Sequence, residues 1–213
     1  MAKDSTSKPK TRDAEATKKR ILLAAKKEFA KLGLGGARVD NISERAKANK
    51  RMIYHYFGNK EKLFQIVLEE AYVDIRTAEQ KLDLENMPPR EGLETLVRFT
   101  WDYYLKNPEF IVLVNNENLH KARHLKKSEV IHAVSRIFVE MVAKLLARGA
   151  ADGTFRTGID PAQLNITIAA IGFYYLTNRY TGSIIFERHM MEADALEERL
   201  NFNIDTILRL VCK

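Results

Sequence analysis

The sequence predicts an all-α chain of about nine helices, a small three-helix domain followed by a larger helical one. Three observations carry that expectation. Apolar residues recur at helical spacing in nearly every segment, no run alternates convincingly with period two, and charge is divided unevenly along the chain. Residues 1–64 hold 17 Lys and Arg against 7 Asp and Glu, whereas residues 76–213 hold 18 of each. The formal +7 of the 213-residue chain therefore resides in its N-terminal third.

Residues 1–14 open the chain as a polar, basic stretch expected to be a disordered tail. Ile21, Ala25, Phe29 and Leu32 then share one face of a first helix, which Gly33 is placed to close in the left-handed conformation. Val39, Ile42 and Ala46 mark a short second helix, and Ile53 and Phe57, four apart, the core face of a third. These positions build one three-helix core and leave Lys50, Arg51, Met52, Tyr54 and His55 facing outwards. Asn59 is placed to cap a fourth helix that carries Phe64, Val67, Leu68, Ala71 and Ile75 and runs to about Leu82.

Met87-Pro88-Pro89 breaks the chain and starts a fifth helix, which carries Leu93, Leu96, Val97, Phe99, Trp101 and Tyr104 and stops at Asn107-Pro108. A sixth is expected over 109 to about 123 and a seventh over about 128 to 151. Residues 153–158 read as a loop. Asp160-Pro161 begins an eighth helix that is apolar almost all round, and a ninth runs from about Glu192 to the end.

Composition narrows the function classes. Cys212 is the sole cysteine, so an intrachain disulfide and a cysteine-based metal site are excluded, and a reducing cytoplasm suits the chain. The N-terminus has no apolar run of signal-peptide type, and no window approaches the ~20 apolar residues needed to span a bilayer. No nucleophile with its base, phosphate-binding loop or dinucleotide fingerprint is present, so neither an enzyme nor a cofactor is expected.

Residues 39–60 (V-D-N-I-S-E-R-A-K-A-N-K-R-M-I-Y-H-Y-F-G-N-K) say most about function. They read as two short helices broken near Lys47-Ala48-Asn49, the second rich in basic and aromatic residues. Such a unit fits the DNA major groove, which admits one α-helix, and the basic N-terminal third supplies the expected phosphate contacts. Asn49 is expected to cap the third helix with its N–H groups towards a phosphate, and Arg51 to make a bidentate guanine contact from the first turn beside Lys50. Tyr54 and Tyr56 offer hydroxyls to phosphate, His55 offers its ring to phosphate or base, and Met52 faces the same side. Arg38 flanks the second helix, and Lys60 completes a phosphate clamp.

These residues carry a resemblance. R-I-L-x-A-A-x-x-x-F-A-x-x-G from Arg20 to Gly33, then Ile42 and Ala46, then I-Y-H-Y-F-x-x-K-E-x-L from Ile53 to Leu63 resemble the DNA-binding domain of the tetracycline-repressor (TetR) family. Lys47 stands where that family usually has glycine, at a cost of about 1 kcal/mol if left-handed. Gly58 stands where a proline or polar residue is usual. The resemblance implies a homodimeric regulator of transcription, a repressor released from its DNA operator by a small effector. On that footing, residues 15–75 form the DNA-binding domain, with its helix-turn-helix at 38–57. Residues 76–213 bind effector and dimerise.

The eighth helix is too apolar for one domain to cover, and the ninth carries a stripe of Leu196, Leu200, Ile204, Ile207, Leu208 and Val211. Pairing the last two helices across a two-fold axis predicts a homodimer on a palindromic operator. For the effector, whose identity the sequence leaves open, Trp101, Tyr104, Asn115, Asn118, Tyr174 and Asn178 supply aromatic walls and hydrogen-bonding groups. A rival reading uses Glu117, His120 and His124, spaced i, i+3, i+7 on one helical face, as ligands of a metal-dependent enzyme or metal sensor.

Overall fold

The computed structural model describes residues 9–213 as ten α-helices with one 3-10 turn, Leu125–Lys127, and no named strand. In chain order these are α1 Pro9–Gly36, α2 Val39–Ala46, α3 Lys50–Phe57, α4 Lys60–Gln80, α5 Pro89–Lys106, α6 Pro108–Leu119, α7 Glu129–Ala151, α8 Pro161–Thr177, α9 Arg179–Ile185 and α10 Ala193–Val211. Residues 9–14 of the expected tail thus belong to α1, and residues 1–8 lie outside the described residues. The chain folds as two compact units. The first comprises residues up to Ala71 with Val112–Ser128, the second Tyr72–Ile111 with Glu129–Lys213. That grouping differs from a single cut near residue 75, because most of α6 and the turn after it join the N-terminal unit.

In the first unit Ile21, Ala25 and Phe29 of α1 close on Ile42, Ala46, Ile53 and Phe57, all buried, and Phe29 meets Phe64 edge-on with ring centroids 5.2 Å apart. Leu32 is the exception to the expected face: it is exposed, and Leu34 takes its place inside. Gly33 accounts for the inward turn of Leu34. The glycine's φ of 66° and ψ of 176° leave the helical region, so the apolar register shifts past it. The positive φ is as expected, but ψ is extended rather than left-handed helical. A Cβ here would also run into the Asn116 carboxamide.

The second unit is held by a core that includes Leu93, Leu96 and Val97 of α5, Phe138, Val142 and Leu145 of α7, Leu164 and Ile168 of α8, and Ile204, Ile207 and Val211 of α10. Asp160 caps α8, its Oδ1 accepting from the Gln163 N–H at 2.8 Å, and Pro89 starts α5. The turn before α5 is fastened by Arg148, whose guanidinium donates to the Leu84 carbonyl at 2.8 Å and to that of Met87. Residues 153–158 form the expected loop. Phe155 is fully buried, bridges to Cys212, and lies so close to Gly149 that a Cβ there would overlap its ring.

Two helices differ from expectation. The sixth stops at Leu119, not near 123, because Lys121 and Ala122 adopt φ of 57° and 56°. The eighth is interrupted at Asn178, and residues 179–185 form the short additional helix α9. Among the described residues no helix is long and apolar enough to cross a membrane.

Candidate nucleic-acid interface

The bihelical unit is set by its two caps. Lys47 closes α2 at φ 50°, ψ 44°, and the N–H groups of Lys47 and Ala48 return to the Glu44 and Ser43 carbonyls, each at 3.0 Å. The left-handed lysine is real, so its strain is offset by two satisfied helix-end carbonyls. Asn49 is extended and its Oδ1 accepts the Arg51 N–H at 2.8 Å, the bond that starts α3. Gly58 ends α3 at φ 78°, donating to the Tyr54 carbonyl at 2.9 Å.

With Ile53 and Phe57 buried, the rest of α3 must point away. Lys50, Arg51, Tyr54 and His55 are exposed, and Met52 and Tyr56 are half-buried. Lys50 is already engaged, its Nζ 2.6 Å from Asp40 Oδ1 on α2, and that hydrogen bond raises its pKa. Arg51 makes no ion pair among the described residues. Tyr56 is steadied by His55, ring centroids 5.2 Å apart, and by the Lys18 ammonium 5.5 Å from its ring centre. Lys60, half-buried, donates to the Ala37 carbonyl at 3.1 Å. It therefore holds the loop before α2, with two of its three ammonium N–H groups left over.

Arg38 is exposed at the start of α2, and its backbone shows what the sequence concealed. Glu28, only 1% exposed, accepts from the Arg38 N–H at 3.3 Å and from the Asn41 carboxamide at 2.8 Å, with Arg45 at 3.8 Å. One buried carboxylate thereby fixes α2 against α1. An acid directly after two lysines on a helix reads as solvated, so no sequence signal marked it.

Glu117 does comparable work at the end of α6. It is 1% exposed, and its Oε1 accepts from the N–H groups of His124 and Leu125 at 2.7 and 3.0 Å while Oε2 lies 2.7 Å from His124 Nδ1. His124 packs edge-on against Phe64, and His120 Nδ1 lies 2.7 Å from the Asn116 carbonyl. The carboxylate is spent on the turn that the positive-φ residues create. The His120 and His124 rings lie 6.1 Å apart, yet Glu117, His120 and His124 do not form a metal-holding group: among the described residues no three such side chains could hold a metal.

The residues expected to line an effector pocket fall in several places. Asn115 is half-buried and Asn118 exposed, its carboxamide donating back to the Val114 carbonyl at 3.1 Å, and both belong to the first unit. In the second unit Trp101 and Tyr104 are buried core: Trp101 meets Tyr175 edge-on at 5.6 Å, and Tyr104 stacks on Phe110 at 6.0 Å. Tyr174 is exposed and lines an open groove of about 950 Å³. Asn178, half-buried, donates to the Tyr174 carbonyl at 2.9 Å at the break between α8 and α9.

Beside Tyr104 the second unit buries a polar set that the sequence did not signal. Glu79 is 1% exposed, and burial pushes its carboxyl up to about 8 even though the Arg76 guanidinium lies 2.9 Å away and pulls the other way. Arg76 lies 4.0 Å from the centre of the Phe138 ring. The Tyr103 hydroxyl donates to Asp74 at 2.7 Å, and burial followed by that bond raises its pKa. Burial raises the Tyr104 hydroxyl to about 12.

A capped, outward-facing basic helix on a three-helix core, followed by a separate helical unit, defines a helix-turn-helix regulator. The comparisons with known proteins narrow the class. Residues 21–67 match the family described as bacterial regulatory proteins, tetR family, and residues 89–207 match the tetracyclin repressor-like C-terminal domain. The chain is 40% identical to the HTH-type transcriptional repressor NicS of Pseudomonas putida over 94% of each protein. It is 41% identical to the repressor SCO4008 of Streptomyces coelicolor, over 48% of this chain and 50% of that one. Among solved structures, the fold matches the regulator SCO4942 of Streptomyces coelicolor with a TM-score of 0.69 at 21% identity, covering 92% of this chain and 98% of that one. It also matches FadR of Bacillus subtilis, solved with stearoyl-CoA, with a TM-score of 0.65 at 16% identity over 90% and 97% of the chains. This chain belongs to the TetR family of DNA-binding transcriptional regulators. Regulators of this family bind DNA operators and act as dimers.

Proposed function

We propose that this chain is a repressor that reads a palindromic operator as a homodimer and leaves it when a small effector binds. The observation that carries the DNA reading is the Asn49-capped α3, which buries Ile53 and Phe57 and turns Lys50, Arg51, Tyr54 and His55 outwards. Arg51, free of any ion pair among the described residues, is assigned the base contact. Lys50, Tyr54, His55, Tyr56, Arg38 and Lys60 are assigned to phosphate, with Met52 against the groove wall. Contacts of the second kind position the protein, and only the first specifies sequence.

Dimerisation is assigned to α8 and α10, whose outward faces leave Ile166, Tyr174, Phe202 and Leu210 exposed. The effector is assigned to the second unit, at the aromatic cluster around Trp101 and Tyr104, where Arg76 and Glu79 add polar groups to an otherwise apolar setting. Tyr174, Asn178, Asn115 and Asn118 remain secondary candidates. Release requires an effector that prefers a conformation with wrongly spaced recognition helices. α4 is the assigned lever, because one continuous helix carries Lys60 at one end and Arg76 and Glu79 near the other.

Footprinting on the chain's own upstream DNA tests this reading. The expected result is a protected two-fold symmetric site with half-sites about one helical turn apart. Absence of any protected site at micromolar protein and low salt contradicts it.

A further inference from the structure

The last forty residues leave apolar surface that their own fold does not use. Within α9, Tyr180, Ile184 and Ile185 are 73%, 80% and 70% exposed. This is not a loose segment. Gly182 packs so tightly on Met190 that a Cβ would meet its sulfur at 2.6 Å, and the Tyr175 hydroxyl donates to the Met190 carbonyl at 2.8 Å. The fold therefore holds three large apolar side chains out into solvent. A soluble chain rarely does so without a partner for them.

In the same unit lies the groove of about 950 Å³, floored by Tyr174, Tyr175, Phe186, Met190 and Phe202. Tyr180, Ile184 and Ile185 do not line it, so within one protomer the apolar arm and the apolar groove are separate surfaces. The rim carries both signs. Arg188 lies 3.7 Å from Glu198 and His189 Nδ1 4.0 Å from Glu192, and Asp194 and Arg199 line the same groove. A nucleic acid or an acidic peptide would call for a rim of one sign. A rim of mixed sign beside an arm and a groove of matching chemistry suits a second copy of the same chain, since a two-fold operation brings each arm to the other's groove.

We infer that in the dimer the α9 arm of each protomer fills the groove of the other, with Ile184 and Ile185 seated against the partner's aromatic floor. The inference rests on the dimer reading above and extends it: Tyr174 of α8 and Phe202 of α10, on the faces assigned to dimerisation, also floor the groove, and the partner's α9 arm supplies what covers them there. Arg199, whose guanidinium lies 5.2 Å from the Tyr175 ring centre and 5.4 Å from that of Phe202, stiffens the floor on which the arm lands.

Two measurements decide it. Cys212 is the only native cysteine, so a Cys212→Ser background permits single-cysteine probes. Ile184→Cys and Ala195→Cys chains carrying different tags are co-expressed, purified through both tags and oxidised. The expected result is a covalent heterodimer, with little cross-linking in either variant alone. Cross-linking of Ile184→Cys to itself with none to Ala195→Cys means that the arms meet each other, and it overturns the inference. Absence of cross-linking in all three samples overturns it as well. Sedimentation of the same samples separates the readings, because a dimer without the heterologous cross-link leaves the dimer standing and removes only the exchange, whereas monomer removes both. Independently, Ile184→Glu/Ile185→Glu in the otherwise native chain is expected to weaken dimer association at least 100-fold with an unchanged helical circular dichroism spectrum. Unchanged association contradicts the inference.

Discussion

The two units of this protein bury glutamates and treat them in opposite ways. In the unit that carries the recognition helix, Glu28 accepts from a backbone N–H and a carboxamide, and Glu117 accepts from two backbone N–H groups and faces His124 Nδ1. In the other unit Glu79, equally buried, pairs with the Arg76 guanidinium, and its Oε2 finds no well-directed hydrogen bond among the described residues. Buried charge is tolerated when donors surround it and is costly otherwise. The N-terminal unit spends its buried acids on fixing α2 and the end of α6, which pre-organises the reading surface. The C-terminal unit keeps a poorly satisfied acid and guanidinium among aromatic rings, the kind of place where a ligand gains most by supplying the missing partner.

The contrast can be broken from the first side. Glu117→Leu leaves the N–H groups of His124 and Leu125 and the His124 ring without their acceptor. It is expected to destabilise by about 3–5 kcal/mol, read as a fall in denaturation midpoint. A loss below about 1 kcal/mol means that the carboxylate is not the clasp described here.

From the second side, Glu79 predicts a dependence on pH. Its folded pKa of about 8 lies above the ordinary carboxyl value of 4.5, so the folded chain binds the proton more tightly than the unfolded one. Its contribution is then fully present below about pH 4.5 and is lost as pH rises towards 8. Glu79→Gln cannot ionise, so its stability relative to the parent is expected to rise between pH 5 and pH 8, reaching a few kcal/mol. A stability difference independent of pH contradicts the assignment.

The sequence made the three-helix core legible, and the reason is physical. Ile21, Ala25, Phe29, Ile42, Ala46, Ile53 and Phe57 repeat at helical spacing within short, capped segments, so period and boundary agree. Leu34 was missed because Gly33 breaks the helical register just before it, whereas Leu32 sits in the last turn before that break and stays exposed. Glu28 was invisible because its donors, the Arg38 N–H and Asn41, are brought round by a turn and not by any periodicity. In the C-terminal unit, period shows which face of a helix is apolar but not which ring meets which, so Trp101, Tyr104 and Tyr174 read as one pocket while the fold separates core from surface. The break at Asn178 escaped notice because the residues on either side continue in a helical pattern.

Smaller effects sharpen the account of the turn. Lys47→Gly relieves a left-handed lysine and is expected to stabilise the first unit by about 1 kcal/mol, measured as a raised melting midpoint. A fall in that midpoint means that the lysine side chain contributes more than its backbone costs.

The first turn of α3 is assigned the reading of base edges, and the direct measurement is the ratio of affinities for the footprinted operator and a scrambled duplex, taken across a salt series by fluorescence anisotropy. Arg51→Ala is expected to lose about 1–3 kcal/mol on the operator and much less on the scrambled duplex, narrowing the ratio. Lys60→Ala is expected to weaken both duplexes alike and to flatten the salt dependence by about one unit. An Arg51→Ala protein that keeps the full ratio, or loses the same affinity on both duplexes, contradicts the account.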